Sequence, residues 1–171
     1  MIFISRLTAL APIILLVTAC GYHIGAAQTR DEFLTQTKGG GILTRDEQII
    51  VNRPIKAVIA DVKGYADKCL NVSVTTGPNY AYKEVGGTMH YHSKMDTNKE
   101  DVVTLTFQAE QGRESARHGA PPGGLFQLVA QIRAVEASST RIALNYVIPA
   151  NSAAEYLKLW ANGDKSRCPK F

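Results

Sequence analysis

The chain has 171 residues, enough for one domain with its own core and too few for two of ordinary size. With 45% hydrophobic and 20% charged residues it has the make-up of a folded globular protein, which excludes global disorder. The net charge is +4, but the basic residues are scattered among acids, as in Lys99-Glu100-Asp101; the concentrated basic face of a nucleic-acid binder is missing, and no nucleic-acid partner is expected.

The first element in chain order is a short apolar run. Arg6 is the one charge before Cys20, and Leu7 to Val17 is almost wholly apolar. This run is shorter than the roughly 20 residues that span a bilayer, and Pro12 interrupts it, so a signal peptide over residues 1–19 fits better than a retained transmembrane anchor. Val17-Thr18-Ala19-Cys20 resembles the lipobox of bacterial lipoproteins, with Val in place of the family's usual Leu three residues before the cysteine. The resemblance implies cleavage before Cys20, attachment of a diacylglycerol to its sulfur, and acylation of the new amino terminus. The lipid of Cys20 is then a membrane anchor, since several acyl chains hold stably where one binds reversibly. Gly21 stands where the family often carries the Asp of inner-membrane retention, which implies the periplasmic face of the outer membrane in a Gram-negative cell envelope. The competing reading is an ordinary secretory signal cut within Gly25-Ala26-Ala27, before Gln28.

If Cys20 is acylated, the three cysteines of the chain leave an even pair, Cys69 and Cys168, and export to an oxidising compartment favours a disulfide between them. The alternative is two free thiols. Neither has a CxxC partner, so redox catalysis has no support.

Residues 20–46 read as the lipidated terminus and a flexible tether: they are polar, carry Gly39-Gly40-Gly41, and hint at helix only around Asp31 to Thr37. A single domain is expected over 47–171. Alternation of Ile49 and Val51 predicts a first strand from Glu47. Pro54 suits the first turn of a helix, and Ile55, Val58, Ile59, Val62, Tyr65, Ala66 and Cys69 follow at helical spacing. Period-two segments then predict strands at Leu70 to Val74, Tyr80 to Tyr82, Met89 to Ser93 and Val103 to Ala109, and a long pair, Leu125 to Glu136 with Arg141 to Ile148, across Ser138-Ser139. Ser152 and Glu155 have capping-box spacing ahead of Leu157, Trp160 and Ala161, and Gly163 stands where a helix stops.

The expected fold is therefore α+β: an antiparallel sheet of about six or seven strands, a helix after the first strand, and a short C-terminal helix. This order of elements resembles the helix-grip arrangement of START-like and Bet v 1-like domains, with no shared sequence motif. The last helix is only about three turns long, which puts an enclosed cavity in doubt.

Candidate site residues are few. His90 and His92 share one strand face and are the weak metal candidates, with Asp96 and Glu84 as guesses for a third ligand. The long loop from Glu110 to Gly124 offers Arg113, Glu114, Arg117 and His118 for contact with a partner. Tyr80, Tyr82 and Tyr91 read either as a recognition surface or as ordinary sheet residues. No catalytic motif and no cofactor motif is present, so no cofactor and no enzymatic activity are expected. The functional expectation is a non-catalytic envelope lipoprotein that binds another envelope protein or assists assembly; the alternative is a periplasmic binder of a lipid or other hydrophobic ligand.

Overall fold

A computed structural model of the chain describes residues 26–77, 87–97, 101–111, 119–165 and 167–171. The elements are helix α1 (Arg30–Thr37), strand β1 (Thr44–Val51), helix α2 (Ile55–Cys69), strands β2 (Ser73–Thr76), β3 (Gly87–Thr97), β4 (Val103–Glu110), β5 (Leu125–Glu136) and β6 (Ser139–Val147), a 3-10 turn (Ile148–Ala150) and helix α3 (Asn151–Ala161). Six strands form one antiparallel sheet in the order β1-β6-β5-β4-β3-β2. The fold is α+β, with the strand, helix, strands, helix succession expected. The expected seventh strand, at Tyr80 to Tyr82, lies outside the described residues.

The topology follows from one long connection. Strands β2 to β6 run as successive antiparallel neighbours, while β1 pairs β6 at the far edge, so α2 must carry the chain from one edge of the sheet to the other. At 1.5 Å per residue a helix of its length spans roughly 22 Å, close to the roughly 24 Å covered by five inter-strand spacings. Its buried stripe is Val58, Val62, Ala66 and Cys69, the spacing read from sequence. Helix α3 packs beside it through Ala153, Ala154, Leu157, Trp160 and Ala161. Against both helices stand the inward residues of the strands, among them Leu105, Phe107, Leu128, Ile132, Ile142, Leu144 and Tyr146, all at most 1% exposed.

Helix α3 is too short to cover this face alone, and the C-terminal tail completes it. Trp160 is wholly buried, its ring stacked on Tyr65 at 5.7 Å, and its indole N–H donates to the carbonyl of Arg167 at 3.1 Å. The Tyr65 hydroxyl donates to the carbonyl of Lys165 at 2.7 Å. Cys168 is bonded to Cys69 at the end of α2, with Cα atoms 5.2 Å apart. Beyond it, Phe171 stacks on Tyr91 at 4.5 Å and lies 5.9 Å from Phe107. Tyr91 therefore faces the core, and of its two readings the ordinary sheet residue is the one observed.

Several local expectations differ from what is found. The tether is folded from Ala26 onward: Thr29 caps α1 by accepting from the N–H of Glu32, and Phe33, 4% exposed, packs with Ala27 against Val129 on the opposite face of the sheet. Phe33, with Leu34 and Ala27, does this without the repeated apolar stripe that periodicity detects. Gly39 and Gly40, at φ 78° and 68°, make the turn into β1, closed by an N–H of Gly39 on the Asp46 carboxylate at 2.7 Å; β1 thus begins at Thr44 rather than Glu47. Leu70 ends α2 instead of opening a strand, and β2 is confined to Ser73–Thr76. The Ser152–Glu155 capping box does not form, because the 3-10 turn runs straight into α3 and Glu155 is drawn to Lys158 at 2.9 Å. Gly163 does stop the helix: at φ 93° its N–H reaches the carbonyl of Trp160, and that of Asp164 reaches Leu159.

Two stability outcomes are expected. Cys69→Ser opens a ring of 99 residues' separation and should lower stability by about 4–5 kcal/mol on the chain-entropy scale, and the wild type should lose the same increment in reductant; chemical denaturation with and without reductant measures both. Phe33→Ala should cost about 3 kcal/mol if α1 belongs to the folded unit, as a buried Phe does, and close to nothing if α1 is tether.

Candidate interaction surface

Alternation along the strands divides the sheet into two faces. The inner face is sealed by α2, α3 and the tail. On the outer face, Phe33, Leu34 and Ala27 cover Val129, Phe126 and Val147, and beside them the surface is open. Register places Ile50, Arg141 and Arg133 in one row across β1, β6 and β5, and Gln48, Ala143 and Gln131 in the next. Gln48, Gln131, Arg133, Arg141 and Ala143 line an open groove of about 280 Å³.

Arg133 and Arg141 face each other directly across the β5–β6 ladder. Like charges directly opposite one another in a ladder are unfavourable, and guanidinium groups as a class suit the oxygens of a carboxylate or phosphate. Both are exposed, and Ile50 in the same row is 59% exposed. Neighbouring the groove, Thr104 stands across from Gln131; its hydroxyl is buried without a hydrogen-bond partner among the described residues. Sequence reasoning missed this row. Its signal is two basic residues on alternate positions of strands flanking one tight turn, and it becomes legible only once the register is known.

The other ionic groups hold elements together. Glu47 on β1 accepts from the Tyr146 hydroxyl at 2.5 Å and from Lys158 of α3 at 2.5 Å, and Lys158 also meets Glu155. Hydrogen bonds from Lys158 and Tyr146 hold the Glu47 carboxyl below the usual carboxylate range. Burial, helped by the adjoining Glu47 carboxylate, pushes the Tyr146 phenol up to about 12. Lys158 is raised: burial opposes its charge, but Glu47 and Glu155 outweigh that. On the other flank Asp61 of α2 pairs with Lys165 at 2.9 Å and Arg53 at 2.7 Å, and these two hydrogen-bonded cations hold its carboxyl low. Arg53 also donates to the carbonyl of Ala161 at the end of α3, at 2.8 Å.

His90 and His92 share the outer face of β3, as expected. His90 Nδ1 lies 2.8 Å from Ser73 Oγ, and His92 Nε2 is 3.8 Å from Glu110. Among the described residues no group of three or more His, Cys, Asp or Glu side chains is placed to hold a metal, and Asp96 pairs with Lys94 at 3.0 Å. Cys20, the loop candidates Arg113, Glu114, Arg117 and His118, and also Tyr80, Tyr82 and Glu84, lie outside the described residues. No described helix is long and apolar enough to cross a membrane.

No protein-family model matches the chain. A search of curated proteins finds no match. Among solved structures the chain is similar to a START superfamily protein from Mycobacterium smegmatis, at 9% identity and a TM-score of 0.40, over 71% of this chain and 95% of that one.

The ionic clusters set the pH response. Glu47 and Asp61 have folded-state pKa values below their unfolded ones, so their contribution is complete above the ordinary carboxylate range and is lost as pH falls through the lowered values. Tyr146 acts in the opposite sense: its contribution holds below pH 10 and is lost as pH rises towards 12. Asp61→Asn should cost about 1.5–3 kcal/mol at neutral pH, the scale of a hydrogen bond to a charged group, and should flatten the acid limb of a stability–pH curve. An unchanged acid limb in that variant would show that Asp61 is not the group responsible.

Proposed function

We propose that the protein is a lipid-anchored module of the bacterial cell envelope, held through acylated Cys20 at the periplasmic face of the outer membrane, that binds an acidic surface of another envelope protein and carries out no chemistry of its own. The observation that carries the reading is the open outer face, where Arg133 and Arg141 stand in direct register beside an exposed Ile50. A pair of forked cations next to aliphatic surface suits a carboxylate-bearing protein segment, because guanidinium groups supply bidentate bonds while the aliphatic part excludes water. The lipobox-like segment at residues 17–20 supports the anchor, and the Cys69–Cys168 bond accords with an oxidising compartment.

The alternative, a hydrophobic-ligand carrier, draws on the helix-grip order of elements. Its natural chamber, between sheet and helices, is filled by Trp160, Leu157 and Tyr146. The opening beside Trp160, bounded by Tyr156, Leu159, Asp164 and Arg167, measures about 210 Å³. Pockets for drug-sized ligands usually span about 300–1,000 Å³, so packing favours the protein-binding reading.

A photo-cross-linker placed at Gln131 of the full-length protein in its own host tests the proposal. It should capture one recurrent envelope protein, and the double substitution Arg133→Glu, Arg141→Glu should reduce that adduct by roughly tenfold or more, as expected for loss of a desolvated charge contact. Capture at wild-type level by the charge-reversed protein would refute the arginine row as the contact.

A further inference from the structure

The turn between α1 and β1 presents two large aliphatic side chains at its tip. Ile42 is 93% exposed and Leu43 65%, the two highest values among the exposed large hydrophobic residues of the described chain. Scattered single apolar residues on a surface are ordinary, but two adjacent ones at a loop tip form a patch that water disfavours. The tip is held in place. Gly40 N–H bonds to the carbonyl of Thr37, the N–H of Gly41 and that of Ile148 bond to the carbonyls of Thr44 and Leu43, and the Arg45 guanidinium donates to Gly41 and Thr44 at 2.8 and 2.9 Å. Pro149, exposed, and Ile148, half-buried, lie alongside. Exposed Lys38 and Arg45 flank the aliphatic pair in sequence, and the Asp46 carboxylate accepts from the N–H of Gly39.

The length of chain upstream selects the occupant. The described structure begins at Ala26, so five residues lie between it and Cys20, and even a fully extended chain of that length reaches at most about 20 Å. A lipid on Cys20 thus holds the domain against the bilayer rather than away from it. Aliphatic residues between basic ones suit an interface with anionic headgroups, where the apolar side chains enter the acyl boundary and the cations stay with the phosphates. We infer that the Ile42–Leu43 tip inserts into the headgroup region of the anchoring bilayer and fixes the orientation of the domain upon it; this rests on the lipid-anchor reading above. In that orientation the row of Ile50, Arg141 and Arg133 lies at the other end of the β1–β6 ladder, roughly 20 Å further from the lipid.

The test uses full-length protein extracted from host membranes and reconstituted into vesicles of phosphatidylethanolamine and phosphatidylglycerol. An environment-sensitive fluorophore is attached at Ile42→Cys or, as a control in the β5–β6 turn, at Ser138→Cys. The label at 42 should emit to the blue and be quenched by nitroxide-bearing lipid, and the label at 138 should do neither. Water-like emission at 42 in protein whose intact mass shows an acylated Cys20 overturns the insertion and leaves the anchor standing. Insertion at 42 in protein without the acyl mass sustains the inference while removing the anchor. A blue shift in host membranes that is absent in pure lipid vesicles assigns the tip to a protein contact and overturns the inference.

Discussion

The bond between Cys69 and Cys168 is the constraint on which the helical side of this protein depends. It ties the C-terminal tail to the end of α2, and the tail covers what an eleven-residue α3 leaves bare. Tyr65, Trp160, Tyr91 and Phe107 all have their rings or hydroxyls closed off by residues between Lys165 and Phe171. Without the covalent tie, a handful of hydrogen bonds and one half-exposed phenylalanine would have to offset the entropy of ordering that segment. The same closure buries the Trp160 indole between α2, α3 and the tail.

Polar contacts at the rim organise the pieces that apolar packing leaves free to slide. Arg53, just after β1, donates to the last carbonyls of α3 and to Asp61 of α2, while its own carbonyl accepts from Thr140 of β6 at 2.8 Å. Four elements therefore meet at one residue. Glu47 performs a similar role midway along β1, joining it to β6 through Tyr146 and to α3 through Lys158. The charged groups of the helical side bridge elements, whereas on the outer face register sets Arg133 and Arg141 directly opposite each other.

Much of this was legible from residue spacing. The stripe of α2, the β5–β6 hairpin and the glycine stop of α3 each repeat a signal several times or place a glycine where positive φ is required. Cysteine pairing was legible by count once Cys20 was set aside. Helix α1 was not, because it docks through Phe33 and Leu34 with Ala27 in an otherwise polar segment, too few apolar positions to make a periodic stripe; nor was the start of α3, where a 3-10 turn displaced the side-chain cap that Ser152 and Glu155 would have formed. The arginine row depends on register across a bulge-containing hairpin, which no single strand displays. Of the candidate residues, His90 and His92 lie on one face of β3, while the loop around Arg113 to His118 lies outside the described residues.

Gly124 carries a consequence of another kind. Its backbone passes so close to β4 that a Cβ there would sit 2.2 Å from the carbonyl oxygen of Ala109, at a φ of 93° that side chains rarely adopt. The chain therefore enters β5 through a gate only a hydrogen atom fits, and the start of that strand is pinned to the end of its neighbour. Any larger residue at this position would push the start of β5 away from the end of β4, so the entry to a strand third from one edge of the sheet depends on a missing side chain.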